Sequence, residues 1–308
     1  MRNEQEMYGL IINTAREDER IRAVYMNGSR TNPNAPRDIF QDYDIVYVVE
    51  DTAPFREDRS WIDRFGKRLY MQCPEENDRL LGKDGDIEHC YGWLIQFADG
   101  NRLDLHVQTI EESKRWILED KLCRILLDKD GLLPPIPEST DEDYYVRRPS
   151  EAEFLACCNE FWWCLNNVAK GLWRREIPYV QDMLNLYIRP ELVKVLGWKA
   201  GLSHDFQISA GKSGKYLFRY LPEDVWKRFL STYAGANTEE IWEAVMTLCE
   251  LFNEQAGETA AGLGYEYCRE EASASWGHLK HVRCLPGDAQ EIYAGPSGGA
   301  DRGCRIEH

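Results

Sequence analysis

Apolar residues recur at helical spacing over residues 3–19, where Met7, Leu10, Ile11 and Thr14 fall on one face. The period then shortens. Residues 21–26 (IRAVYM) form a β-type run that stops at Asn27, Gly28 and Ser29, and a polar loop holding Pro33 and Pro36 follows. Residues 42–49 (DYDIVYVV) are rich in β-branched and aromatic side chains and predict a strand. A helix is expected over 55–66, a short strand over 68–72 stopped by Pro74, and a mobile polar loop over 75–88. Residues 91–97 and 102–107 flank Asp99, Gly100 and Asn101, which is the turn chemistry of a β-hairpin. A helix near 110–120 and a strand at 123–127 complete this half.

Proline density and an acidic cluster between Leu133 and Pro149 mark a boundary. The reading places a first domain at 1–135, a linker at 136–149 and a second domain at 150–293. Beyond the linker the period is helical, over 150–173, 178–196, 222–233 and 238–256. Ser150, with Glu153 three residues on, is a capping box. Pro178 suits the first turn of the next helix. Phe154, Cys157, Cys158, Phe161, Trp162 and Leu165 share a helical stripe and read as core. Residues 294–308 are small and polar and predict a disordered tail. The expected class is α+β, with a mixed sheet in the first domain and helices in the second.

A length of 308 residues suits two domains of about 150. Hydrophobic residues at 43% and charged residues at 29% exclude a wholly disordered chain. The 53 acidic residues outnumber the 37 basic ones, for a net charge of −16. That surface repels phosphate backbones and anionic headgroups and attracts cations, so neither nucleic acid nor membrane is an expected partner. No apolar run approaches the roughly 20 residues of a membrane span, and the start lacks an apolar signal core. A cytoplasmic monomer is expected. The ten cysteines are irregularly spaced without a C-x-x-C, as buried thiols in a reducing compartment would be.

Three features of the first half carry chemistry. Gly28 and Ser29 directly follow a strand, where glycine admits close backbone approach and serine adds a hydroxyl. If a helix begins there, its free N–H groups can hold a phosphate. Asp42 and Asp44, two apart in a strand, project to one side. Two carboxylates side by side repel unless a cation lies between them, and Mg²⁺, which takes oxygen ligands, suits that site. Asp104 is a lone carboxylate inside a strand-like run, opposite in direction to Leu103 and Leu105. If its strand lies beside the first, three carboxylates converge and can hold two metals against a triphosphate.

A Gly-Ser, a D-x-D about a dozen residues later and a single Asp on a later strand resemble the nucleotidyltransferase superfamily typified by DNA polymerase beta. A closer resemblance is carried by residues 23–33 (AVYMNGSRTNP), 38–49 (DIFQDYDIVYVV), 101–106 (NRLDLH) and 179–185 (YVQDMLN), with Arg189 and Pro190. These are similar to the aminoglycoside 6-adenylyltransferase (streptomycin adenylyltransferase) family, from residue 1 to about 290. The resemblance implies a polymerase-beta-like nucleotidyltransferase domain with a mixed sheet followed by a helical domain, the active site lying between them. It implies transfer of AMP from ATP to the 6-hydroxyl of streptomycin, an antibiotic-resistance activity that releases pyrophosphate. Gly28, Ser29 and Arg30 would then contact phosphates, Asp42 and Asp44 would bind Mg²⁺, and Asp104 would ligate the catalytic metal and help remove the hydroxyl proton.

In the second half, Asp182 is placed early in its helix and is a candidate to pair with a guanidinium of the cationic drug. Its alternative is an ordinary helix-terminal charge. Glu88, before the hairpin, is a second candidate for substrate binding. Lys212 and Lys215, in the glycine-rich stretch 209–216, are candidates for the triphosphate, as a lysine of the helical domain is in related antibiotic nucleotidyltransferases. That stretch lacks the earlier glycine and the preceding strand of a P-loop. Tyr91 and Trp93 read as core rather than as sugar platforms, and His106 as a packed residue rather than a partner of Asp104. His278, His281 and Cys284 match no structural zinc spacing. Two other readings stand beside the leading one: another aminoglycoside or other hydroxyl as acceptor, or a protein that only sequesters a cationic drug.

Overall fold

The computed structural model describes residues 1–83 and 85–293, so the expected tail at 294–308 lies outside the described residues. It falls into two compact units, Met1–Asp143 and the chain from Tyr144 onward.

The first unit opens with a closed capping box. Asn3 accepts from the Glu6 N–H at 2.9 Å, and the Glu6 carboxylate accepts from the Asn3 N–H at 2.7 Å. Helix α1 (Glu4–Glu17) then buries Met7, Ile11, Thr14 and Ala15. Strands β1 (Ile21–Asn27) and β2 (Tyr43–Val49) pair antiparallel. The helix expected over 55–66 is broken into α2 (Ala53–Glu57) and a 3₁₀ turn at Trp61–Phe65. The Asp58 carboxylate causes the break, because it accepts from both the N–H and the hydroxyl of Ser60 and offers the backbone a local turn instead.

After β3 (Arg68–Gln72) comes a correction. Helix α3 (Pro74–Leu80) replaces the start of the loop expected over 75–88. Pro74 in the first turn, with Glu75 and Glu76 behind it, favours a helix start. Strands β4 (Cys90–Phe97) and β5 (Arg102–Thr109) form the expected hairpin, followed by α4 (Ile110–Trp116) and β6 (Cys123–Asp128).

The six strands lie in the order β3-β4-β5-β2-β1-β6. Only β2 and β5 run parallel, which makes the sheet mixed. One face packs against α1 through Ile45, Tyr47, Trp93, Leu103, Leu105 and Val107. Part of the other face is covered through Ala23, Tyr25, Val46, Val48 and Ile117. The uncovered remainder of that second face is where the polar side chains gather.

The second unit is helical. Ser150 and Glu153 close the expected capping box of α5 (Glu151–Trp173), whose apolar stripe is fully in the core. The single helix expected over 178–196 is three segments: α6 (Ile177–Asp182), a π-helical stretch Met183–Ile188, and α7 (Arg189–Leu202). Pro190 has no N–H to offer the carbonyl four residues back, and the widened stretch absorbs that loss. Helix α8 (Glu223–Ser231) precedes α9 (Thr238–Leu263), which stops at left-handed Gly264. Helix α10 (Arg269–Cys284) is an element the sequence pattern does not predict. Its Ala272, Leu279 and Val282 are buried in the core that α5 and α9 line. No helix among the described residues is long and apolar enough to cross a membrane. The family-level expectation of an α+β chain, mixed sheet first and helices after, describes what is seen.

Candidate active site

Strand register brings the acidic residues together. In the parallel pair, Asp44 of β2 is the direct partner of Asp104 of β5. Neighbouring strands lie about 4.8 Å apart. Leu103, Leu105 and Val107 point into the α1-side core, so Asp104 and His106 point to the opposite face. Asp42 lies one residue ahead of β2 rather than within it. One carboxylate oxygen from each of Asp42, Asp44 and Asp104 lies within 4.8 Å of the others, and no other such group of three metal-ligating side chains exists among the described residues.

The three negative charges are held at a cost. Burial, then the charges of Asp42 and Asp104, push the Asp44 carboxyl up to about 7. The nearest compensating cation is Arg102. Its Nε donates to one Asp104 oxygen at 2.9 Å and its Nη2 to the other at 2.6 Å, while Asp42 lies 3.7 Å from Nε. An all-oxygen donor set of three carboxylates fits a hard divalent ion such as Mg²⁺.

Gly28 owes its identity to Asp44. Asn27 pairs with Asp44 across the β1–β2 ladder, so the next residue passes against the carboxylate. Gly28 has φ of +75°, and a methyl group there would run into the Asp44 carboxylate. No helix follows. The Thr31 N–H and hydroxyl both bond to the Gly28 carbonyl, at 3.1 and 2.8 Å, and close a tight turn that carries Ser29. The condition of a helix N-terminus here is not met, and a turn stands in its place.

Arg30 makes several contacts within the chain. Its Nε and Nη2 donate to the carbonyls of Asp42 and Gln41 at 2.8 and 2.9 Å, its guanidinium lies 3.7 Å from the Tyr43 ring centroid, and Nη1 is 3.5 Å from Glu4. These contacts pin the returning loop and so place Asp42.

Glu88 is not part of the cluster. The β4–β5 register sets Leu94 opposite Asp104, while the His89 carbonyl accepts from the Thr109 N–H at the far end of β5. Glu88 lies beyond that point, six residues before Leu94, or roughly 20 Å along an extended strand from Asp104. The acidic helix α3 lies nearer to Asp104. Glu75 accepts from the Gly92 N–H at 3.0 Å and stands 3.9 Å from His106 Nε2, one side-chain position along the face from Asp104. A methyl on Gly92 would come within 2.5 Å of the His106 ring, so this glycine makes room for the imidazole. Burial pushes the His106 imidazole below its ordinary value, opposed by Glu75 and Asp104. Sequence reading misses Glu75, Gly92 and Arg102. The i, i+2 spacing of Arg102, Asp104 and His106 is the available signal.

Tyr91 and Trp93 are core residues, as expected. In the second unit, Asp182 ends α6 and is exposed, and Lys212 opens a 3₁₀ turn, Lys212–Gly214. Lys215 Nζ lies 5.0 Å from the Tyr216 ring centroid. His278 pairs with the Tyr293 hydroxyl at 2.7 Å and His281 with the Ile292 carbonyl.

The model of the streptomycin adenylyltransferase family matches residues 1–282. An aminoglycoside 6-adenylyltransferase from Campylobacter jejuni is 39% identical over 269 residues, covering 87% of this chain and 91% of the relative. That of Bacillus subtilis is 39% identical over 268 residues, with 87% and 93% covered. That of Staphylococcus aureus is 32% identical over 268 residues, with 87% and 94% covered. Matched in this way along nearly its whole length, the chain belongs to the streptomycin adenylyltransferase family.

Proposed function

We propose that this enzyme transfers AMP from ATP to the 6-hydroxyl of streptomycin and releases pyrophosphate. The observation that carries this reading is the convergence of Asp42, Asp44 and Asp104 on one face of the sheet, beside the Gly28–Ser29 turn. Asp42, Asp44 and Asp104 would hold Mg²⁺, which supplies charge neutralisation for the triphosphate and acidity for the attacking alcohol.

The chain's own groups do the rest. The Gly28–Ser29 turn lies against Asp44 and offers a donor hydroxyl to phosphate oxygens. Asp104 receives the proton of the acceptor hydroxyl as the new oxygen–phosphorus bond forms and the bond to the β-phosphate oxygen breaks, with pyrophosphate leaving. Asp182 serves a guanidinium of the drug, and Lys212 and Lys215 serve the triphosphate, in this reading. Glu75, on the face shared by Asp104 and His106, joins Glu88 as an acidic residue for a cationic acceptor in the first unit. Arg30 holds the Asp42 backbone in place.

The test is incubation with ATP, Mg²⁺ and a panel of aminoglycosides, reading pyrophosphate and adenylylated product. Streptomycin turns over, and Asp104→Asn and Asp42→Asn lower kcat by about 100-fold or more while retaining the wild-type Tm within a few degrees. Turnover only with a different alcohol replaces the acceptor. Tight drug binding without pyrophosphate release supports sequestration. Near-normal turnover by folded Asp104→Asn removes that residue from the chemistry.

A further inference from the structure

The guanidinium of Arg102 occupies the mouth of the carboxylate cluster. Both oxygens of Asp104 are taken by its two-point grip, at 2.9 and 2.6 Å, and Asp42 is 3.7 Å away. A guanidinium fork takes one in-plane lone pair on each oxygen and puts a positive charge beside the carboxylate, so another cation must compete with it for Asp104. The grip is local in origin. Arg102 and Asp104 are two apart on β5 and share its outward face. The arginine side chain is 48% exposed, against 12% for Asp104, so it is free to leave without unpacking the core. The backbone of Asp104 is fixed, because its strand is hydrogen-bonded on both sides, to β2 and to β4.

We infer that Arg102 is a removable plug. It neutralises Asp104 in the empty protein, is displaced when divalent ions enter, and then grips the phosphates of the incoming nucleotide. The inference rests on the metal reading above. Its physical basis is a competition for one set of lone pairs. A cation entering the cluster must break the fork, and the released guanidinium finds a matching bidentate acceptor only when phosphate is present. Ions alone therefore bind weakly, and ions with nucleotide bind well. This couples the two ligands without any movement of the backbone, and it keeps the acidic cluster from collecting stray cations.

The experiment measures Mn²⁺ binding by electron paramagnetic resonance on the full chain, with and without α,β-methylene-ATP. It compares wild type with Arg102→Gln, Arg102→Lys and Asp104→Asn. Without nucleotide, Arg102→Gln binds Mn²⁺ about tenfold or more tightly than wild type, because the competing charge is gone. Arg102→Lys keeps the charge but not the fork, and tightens by at least about threefold. The analogue strengthens Mn²⁺ binding by about tenfold or more in wild type, but by less than about threefold in Arg102→Gln, whose second grip is missing. Equal Mn²⁺ affinity in wild type and Arg102→Gln overturns the plug. So does an Arg102→Lys protein that matches wild type, which leaves only a charge effect. If wild type and Arg102→Gln both fail to bind Mn²⁺ even with the analogue, or if Asp104→Asn binds as well as wild type, the metal reading falls and the plug falls with it.

Discussion

At the scale of single residues, the site is governed by what stands within a few ångströms of Asp44. Gly28 is the plainest case, since two separate demands fall on it: φ of +75° and the carboxylate lying where a Cβ would go. Gly131 shares only the first, with φ of +64° and nothing within 4 Å of where a methyl would lie. A left-handed alanine costs about 1–2 kcal/mol at either place. Gly131→Ala should therefore lower Tm by that strain alone, while Gly28→Ala lowers it further and also loses most of its adenylyl transfer, because it displaces a carboxylate of the cluster. Thermal melts and initial rates on the pair separate these effects, and a fully active Gly28→Ala would show that the contact is irrelevant. The sequence already singles out this glycine, though for close approach to a ligand. Its contact with Asp44 depends on the β1–β2 register, which no local pattern states. Arg30 shows the same limit from the other side. An arginine directly after the turn is expected at a phosphate, and its hydrogen bonds to the carbonyls of Gln41 and Asp42 follow from no local pattern.

At the scale of elements, strands with strong period-two patterns are legible and irregular helices are not. β2 and the β4–β5 hairpin announce themselves through β-branched runs and turn residues. α3 is hidden because its seven residues bury none of their side chains, so no apolar stripe exists to be read. α10 is hidden because Ala, Ser and Gly dilute its buried positions. Parallel pairing of β2 with β5, on which the whole cluster depends, is a long-range fact at which only the order of chemical motifs hints. The junction after α1 gives a prediction at this scale. Asp18 ends the helix, accepts from Trp61 Nε1 at 3.1 Å and pairs with Arg20 at 2.6 Å. The Arg20 hydrogen bonds, and that of Trp61 against the cost of burial, pull its carboxyl down to about 2. A depressed carboxyl binds fewer protons in the folded than in the unfolded state between about pH 2 and 4, so its contribution is full above the unfolded value and fades as pH falls through that window. With Arg20 partly exposed, the contribution is about 1–2 kcal/mol after screening. Asp18→Asn should melt below wild type at pH 7, with the gap narrowing by pH 3. A gap that stays constant over that range would trace the loss to packing around Trp61 instead.

At the scale of the whole chain, charge is unevenly spread. Residues 1–143 carry 31 acidic and 19 basic side chains, so −12 of the total −16 belongs to the unit that holds the carboxylate cluster. A field of that sign draws a polycationic acceptor and opposes a nucleotide triphosphate, which makes the two proposed substrates respond to salt in opposite ways. At about 20 mM salt the screening length is roughly 20 Å, and at about 200 mM it is roughly 7 Å, short enough to cancel all but the nearest charges. Raising salt across that range should lower kcat/KM for the aminoglycoside by about tenfold, chiefly through KM, since the field acts on encounter and loose binding rather than on bond making. Over the same range KM for ATP should hold steady or fall, because the repulsion it meets is screened as well. Steady-state kinetics at saturating levels of the other substrate read both trends. Parallel weakening of both substrates would mean that salt acts on local contacts common to them, and a flat response for the aminoglycoside would mean that the acidic surface of the first unit has no part in gathering its substrate.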